Sequence, residues 1–378
     1  MVTRNNIRKS IKILFLTLNP NLQGPLPKHN PLLIEALKNL GCQVTRSTWG
    51  RHSENENILQ KIFGRLEDIW KALVELARMK PDIIYVATTL DEQALVRDIP
   101  LLLATCWSPA KIVLKMHGSK TNQLADQGHI LYKLFARLLV LLSDAILLLS
   151  SEELETWKKF ESRGKYYRVD NPFIPSRGTK SGELTSIIQR INSHPILLFA
   201  GRLIKAKGIF DLLHAMPAIL RQVECYLLIA GDGEEKKEIE NFIEKADLKQ
   251  HVSLLGYVAS DRLSGFYKSS SIFVLPTYFG EGFPTVIAEA MSFGLPIITT
   301  PIRGARDHLK DGINALFVQP RNPDAIVGEV VRLLNEPELC LKMSHANLKK
   351  VQEFKPENVV PRYIQIFQEL LSEDVISK

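Results

Sequence analysis

The chain has 378 residues, 45% of them hydrophobic and 24% charged, with a formal net charge of +7. That length is too great for one core and suits two domains of about 150 to 200 residues each. The four cysteines, Cys42, Cys106, Cys225 and Cys340, stand far apart with no CxxC pair and no histidine at ligand spacing. Neither a zinc site nor a disulfide framework is suggested, and a reducing cytoplasm is the expected address.

The N-terminal stretch has basic residues, but its apolar run stops at Leu18 before Asn19 and Pro20, so it reads as a first strand over residues 11–17 and not as a signal peptide. Apolar runs of five to seven residues then alternate with segments of helical period, the pattern of parallel sheets covered by helices. In a first series, strands are predicted at 11–17, 43–45, 83–86, 112–116 and 145–149. A helix over 31–40 carries Leu32, Leu33, Ala36, Leu37 and Leu40 as one stripe and ends at Gly41. Ser150 and Glu153 offer a capping box for the helix after the fifth strand. His117, beside Gly118 at the end of the fourth strand, has two readings: a ligand contact, or a core histidine bonded to a backbone carbonyl.

The longest apolar region, 130–149, is broken by Lys133, Arg137 and Asp144 and falls short of a bilayer span; within it the segment 130–142, ILYKLFARLLVLL, is nearly apolar apart from Lys133 and Arg137. It is either a buried helix with two snorkelling cations or a peripheral contact with an anionic membrane. Charge bears on the choice: residues 1–178 hold 25 Lys/Arg against 17 Asp/Glu, and the remainder 23 against 24. A solvated basic face explains that surplus equally well. Nucleic acid is not expected, because no basic stripe with interleaved aromatics occurs.

Residues 171–183, rich in Pro, Gly and Ser, read as a linker. A second series follows, with strands at 196–200, 225–230, 252–255, 272–275, 296–300 and 315–318. The last helix, over 360–371, comes after Pro356 and Pro361, both read as breakers, and either domain could accept it. Open α/β sheets bind ligands beyond the carboxyl ends of their strands, and the unusual loops of the second series all lie there. Arg202 and Lys207 flank a loop ending in Gly208 at a helix start, which suits a diphosphate: arginine grips two oxygens with a planar fork, and lysine supplies a mobile point charge. GDG at 231–233 is either part of such a site or a tight turn. Neither GxGxxG after the first strand nor GxxxxGK[ST] is present, which disfavours a dehydrogenase and a P-loop enzyme.

The densest chemistry lies in 275–318. Glu281 sits in a loop bounded by Gly and Pro, and Glu289 follows eight positions later inside a helix predicted to start at Pro284 or Thr285. On an otherwise apolar face, VIAEAM, an unpaired buried carboxylate would be expensive, so Glu289 is read as functional.

Residues 196–319 resemble the donor domain of the retaining GT-B glycosyltransferases, in particular the GT4 family, through GRLIKAKG, LLIAGDG, LLGYV, EGFPTVIAEAM, GLPIITT and DGINALFV. The first half matches only through its sheet pattern, His117-Gly118 and Asn171-Pro172. The resemblance implies an α/β fold of two Rossmann-like, doubly wound parallel-sheet domains facing a cleft. It places an acceptor-side domain at 1–178, a nucleotide-sugar donor domain at 179–359, and a helix within 360–378 for which packing back on the first domain is one option. By the family pattern, Arg202 and Lys207 hold the donor's diphosphate, Glu289 the ribose hydroxyls, and Glu281 with Gly282, Phe283, Pro284 and Thr285 the sugar. His117 faces the sugar from across the cleft.

The implied activity is retaining, hexosyl-type transfer from a nucleotide-diphosphate sugar to a glycan or lipid-linked acceptor, as in polysaccharide biosynthesis. No DxD occurs, so no metal or other cofactor is expected. A nucleotide-sugar epimerase and a non-catalytic nucleotide-sugar-binding subunit are the alternatives. The chain departs from the pattern in its first loop, where Gly24 stands alone, and in RGARDHL, where Arg303 and Asp307 are left unassigned.

Overall fold

In the computed structural model, which describes residues 10–22, 25–53, 56–126, 128–176, 189–191 and 193–376, twelve named strands form two six-stranded sheets. All strand pairs are parallel. By their contacts the residues divide into two units: Met1–Phe173 with Gly280–Gly282 and Phe354–Lys378, and Ile174–Phe279 with Phe283–Glu353. Gly24 and residues 177–183 of the expected linker lie outside the described residues.

The first sheet runs β2-β1-β3-β4-β5-β6, from β1 (Lys12–Thr17), β2 (Gln43–Thr48), β3 (Ile83–Leu90), β4 (Lys111–Ser119), β5 (Ala145–Leu148) and β6 (Tyr166–Arg168). Its central strands are almost continuously apolar and buried because helices cover both faces. The helices are α1 (Pro25–Asn39), α2 (Ile58–Met79), α3 (Glu92–Thr105), α4 (Asn122–Ala125), α5 (Ile130–Leu141) and α6 (Ser151–Phe160). β2 is longer than its apolar pattern predicts because it lies at the sheet edge, where polar Arg46 and Thr48 meet solvent; β6, three residues long, gives no periodic signal at all. The Ser150 cap forms: its hydroxyl accepts from the Glu153 amide at 3.2 Å, while the Glu153 carboxylate reaches back to the Leu149 amide at 3.2 Å.

The second sheet runs β12-β11-β10-β7-β8-β9, from β7 (Ile196–Ala200), β8 (Tyr226–Ala230), β9 (Val252–Gly256), β10 (Ile272–Leu275), β11 (Ile297–Thr299) and β12 (Leu316–Phe317). The chain winds outward from β7 to β9, returns to the centre at β10 and winds the other way. The strand order therefore reverses between β7 and β10, which defines the ligand crevice of a doubly wound sheet. Its helices are α7 (Ile209–Leu220), α8 (Lys236–Lys245), α9 (Ser260–Ser269), α10 (Thr285–Ser292), α11 (Arg303–His308), α12 (Pro323–Asn335) and α13 (Pro337–Lys350).

The last helix, α14 (Pro356–Ile376), starts earlier and ends later than the apolar pattern predicts, and Pro361 lies inside it. The missing Pro361 amide removes one bond near the helix start, whereas Val360, Tyr363, Ile366, Phe367 and Leu370 are fully buried against β1, β3 and β4 of the first unit. Burial of that stripe outweighs one lost hydrogen bond. The helix also covers Lys115 of β4, which is fully buried, donates to the Val169 carbonyl at 2.5 Å and lies 5.9 Å from the Tyr363 ring centroid. Burial pulls its ammonium down to about 7 against the opposing pull of Asp170 and Glu153.

Candidate functional site

The loops after β7, β8 and β10 are tied together by their backbones at the reversal point. Leu203 donates to the Asp232 carbonyl at 2.9 Å, Glu235 to the Leu203 carbonyl at 3.1 Å, and Tyr278 to the Ala206 carbonyl at 2.8 Å. The spacing leaves no room for side chains. A Cβ on Gly231 would stand 1.9 Å from the Gly201 carbonyl oxygen, and one on Gly233 would stand 2.4 Å from that of Leu203. GDG is thus a point of close backbone approach and more than a turn. Gly208, with φ +74, closes the short helix Lys205–Lys207 and begins α7; a Cβ there would meet the Pro276 oxygen at 2.2 Å. The rigid frame at the crevice is made of main chain.

Two cations emerge from this frame differently. Arg202 is exposed. Lys207 is 7% exposed, and its ammonium lies 5.2 Å from the Phe279 ring centroid, which fixes the direction of its stem. Neither α7 nor α10 has a side-chain cap at its N-terminus, so both present the positive end of the helix dipole to this edge of the sheet. Pro284 is the N-cap and Thr285 the first helical residue of α10.

Glu289, half-buried on α10, accepts a hydrogen bond from the Tyr267 hydroxyl of α9 at 3.0 Å. Tyr267 is itself buried, stacked on Phe293 at 5.4 Å and 9°, and also donates toward the Val286 carbonyl at 3.3 Å. Burial, then the Glu289 carboxylate, pushes its phenol well above its ordinary value, so it serves Glu289 only as a donor. Phe283 packs against His308 of α11, with ring centroids 5.0 Å apart. Arg303, left unassigned from the sequence, opens α11 buried and with a left-handed φ of 44°, a strained backbone of the kind that collects at functional loops.

The second unit therefore gathers Arg202, Lys207, Phe283, Pro284, Thr285 and Glu289 on loops and helix starts at one edge of its sheet. Half-buried Glu281 and buried Gly282 occupy the β10–α10 loop, in the segment grouped with the first unit. His117 belongs to the first unit. It is 9% exposed, and neither ring nitrogen has a hydrogen-bond partner among the described residues, so the carbonyl-bonded core histidine is not what forms. Burial, then Lys115 and His29, holds it well below the ordinary histidine value and hence neutral, with one ring nitrogen a donor and the other an acceptor. Tyr267 and Phe279 were not legible as site residues, because both act through tertiary contacts that carry no local motif.

Residues 184–350 match the family described as Glycosyl transferases group 1. The chain carries a group 1 glycosyltransferase domain. It is 36% identical over 141 residues to an uncharacterised glycosyltransferase, MJ1607, of Methanocaldococcus jannaschii, covering 37% of this chain and 36% of that one. It is 24% identical over 268 residues to N-acetyl-alpha-D-glucosaminyl L-malate synthase of Bacillus anthracis, covering 70% and 69%. The match spans only 36% and 48% of the length of MJ1607 and of a second M. jannaschii relative, MJ1178.

Among solved structures, sucrose-phosphate synthase of Thermosynechococcus elongatus superposes with a TM-score of 0.79 at 18% identity, over 96% of this chain and all of that one. Anabaena HepE, solved in complex with UDP, gives 0.71 at 17%, over 95% and 100%. These likenesses establish that the group 1 domain belongs to a GT-B fold of two Rossmann-like units.

Proposed function

We propose that this protein is a retaining glycosyltransferase that moves a sugar from a nucleoside-diphosphate sugar to a glycan or lipid-linked acceptor without a metal. The observation that carries the reading is that Lys207, resting against Phe279 after β7, and Glu289, bonded to Tyr267 after β10, follow the two strands at which the sheet order reverses. The HepE structures with UDP and with UDP-glucose support this donor class. In this reading Lys207 and Arg202 take the diphosphate, Glu289 the ribose hydroxyls, and Glu281 with the 282–285 backbone the sugar.

Cleavage of the bond from the anomeric carbon to the diphosphate oxygen builds negative charge on the departing group, and fixed cations stabilise that charge more in the transition state than in the bound donor. The acceptor oxygen bonds to the anomeric carbon on the face the diphosphate leaves, and its proton passes to a departing phosphate oxygen. Configuration is thereby retained. Proton NMR of the first-formed product checks this: an inverted anomeric signal would exclude the front-face route.

Metal independence is proposed because the sequence has no DxD and supplies cations in that place. Transfer is expected to continue at its full rate in excess EDTA, and a rate restored only by added magnesium would refute the cationic clamp. Tyr267→Phe removes one hydrogen bond to Glu289 and is expected to weaken donor binding by about three- to tenfold. An unchanged donor Kd by calorimetry would show that Tyr267 does not position the carboxylate.

A further inference from the structure

Fourteen of the nineteen large hydrophobic side chains exposed among the described residues lie on α2, on α3 with the turn after it, and on α5. This concentration is not a scatter. The three helices pack side by side, α2 on α3 and α3 on α5, over one face of the first sheet, and their inner sides share one core. α2 has two apolar faces: Ala72 and Leu76 point into that core, while Leu59, Phe63, Leu66, Trp70 and Val74 recur every three or four residues on the outside. Phe63 is 66% and Trp70 64% exposed. Leu103 and Trp107, then Leu131, Leu134 and Leu141, are exposed on the neighbouring α3, the turn after it and α5.

A protein rarely leaves so many large apolar side chains wet on one layer of packed helices without a use for them. We propose that this helix layer is the docking face for an anionic lipid bilayer, with the α2 stripe as its apolar anchor. Charge selects the occupant. The exposed charges of α2 are Lys61, Lys71 and Arg78 against Glu67, which pairs with Lys71; α5 adds exposed Arg137 and half-buried Lys133, α3 has Glu92 as its exposed charge, and residues 1–178 hold the chain's basic surplus. Large apolar and aromatic side chains flanked by cations suit the headgroup boundary of an acidic membrane. A second copy seated symmetrically on the same face would set those basic margins against each other. Among the described residues no helix is long and apolar enough to cross a membrane, so the contact is peripheral.

The test is flotation of the full chain with vesicles of phosphatidylcholine alone and of phosphatidylcholine mixed with phosphatidylglycerol. The protein is expected to float with the mixed vesicles and far less with the neutral ones. The double variant Phe63→Ser, Trp70→Ser is expected to lose at least about tenfold in partitioning with an unchanged melting temperature. Should that variant misfold, Leu131→Ser with Leu134→Ser on α5 tests the same face. Failure of the unaltered chain to float, or equal flotation of folded variants, overturns the proposal. So does a dimer by light scattering that the double variant abolishes, since a second copy would then cover the face.

Discussion

Glu289→Ala is expected to lower turnover by at least about 100-fold while leaving the protein folded. In the proposed role the carboxylate meets two donor hydroxyls, and each charge-assisted hydrogen bond is worth about 1.5 to 3 kcal/mol, so losing both supplies a change of this size. The fold tolerates the change for a structural reason. Glu289 is only half-buried, and the Tyr267 hydroxyl, deprived of it, still has the Val286 carbonyl at 3.3 Å. Glu289→Gln keeps an acceptor for Tyr267 but loses the charge, and an intermediate rate is expected. Steady-state kinetics with near-ultraviolet circular dichroism checks both variants. A folded Glu289→Ala enzyme at near-normal rate would remove α10 from the site.

Lys207→Ala is expected to cost a similar factor, at least about 100-fold in turnover, because the leaving diphosphate would lose its best-oriented cation. Lys207 is nearly buried, and its ammonium rests against Phe279, so alanine would also remove packing. Lys207→Met separates the two effects: it restores the stem and leaves out the charge, so it should recover the melting temperature without recovering the rate. If methionine restored turnover, Lys207 would be a packing residue. Arg202, which is exposed, is expected to matter less.

The second unit was the more legible of the two, and particular residues show why. Strands β7 and β10 are uninterrupted apolar runs, ILLFA and IFVL, followed at once by glycine or proline, so strand and loop announce each other. Three glycines, Gly208, Gly231 and Gly233, stand where backbone meets backbone, which makes their place in the sequence informative about three dimensions. The edges of the first sheet gave less, since β2 carries polar residues to solvent and β6 is too short for a period. Pro361 misled because local chemistry argues for a break while the buried stripe of α14 argues for continuity, and the stripe prevails. Likewise the segment 130–142, singled out for its apolar content, forms α5 over Ile130–Leu141, with Tyr132, Ala136, Leu139 and Val140 buried while Ile130, Leu131, Leu134 and Leu141 face outward. Composition could not separate those two faces. The outer stripe of α2 was missed for the same reason: a helix apolar on two sides reads simply as buried.

The central claim is that Lys207 and Glu289, on the two sides of the β7/β10 reversal, grip one nucleoside-diphosphate sugar. A thermal-shift panel of nucleoside monophosphates, diphosphates and nucleotide sugars, run on the unaltered protein, Lys207→Met and Glu289→Ala, tests it most directly. At least one diphosphate nucleotide or its sugar ester should raise the melting temperature well beyond the matching monophosphate, and each substitution should abolish most of that rise. A panel in which no diphosphate stabilises the protein, or in which both variants respond as the unaltered protein does, would contradict the account.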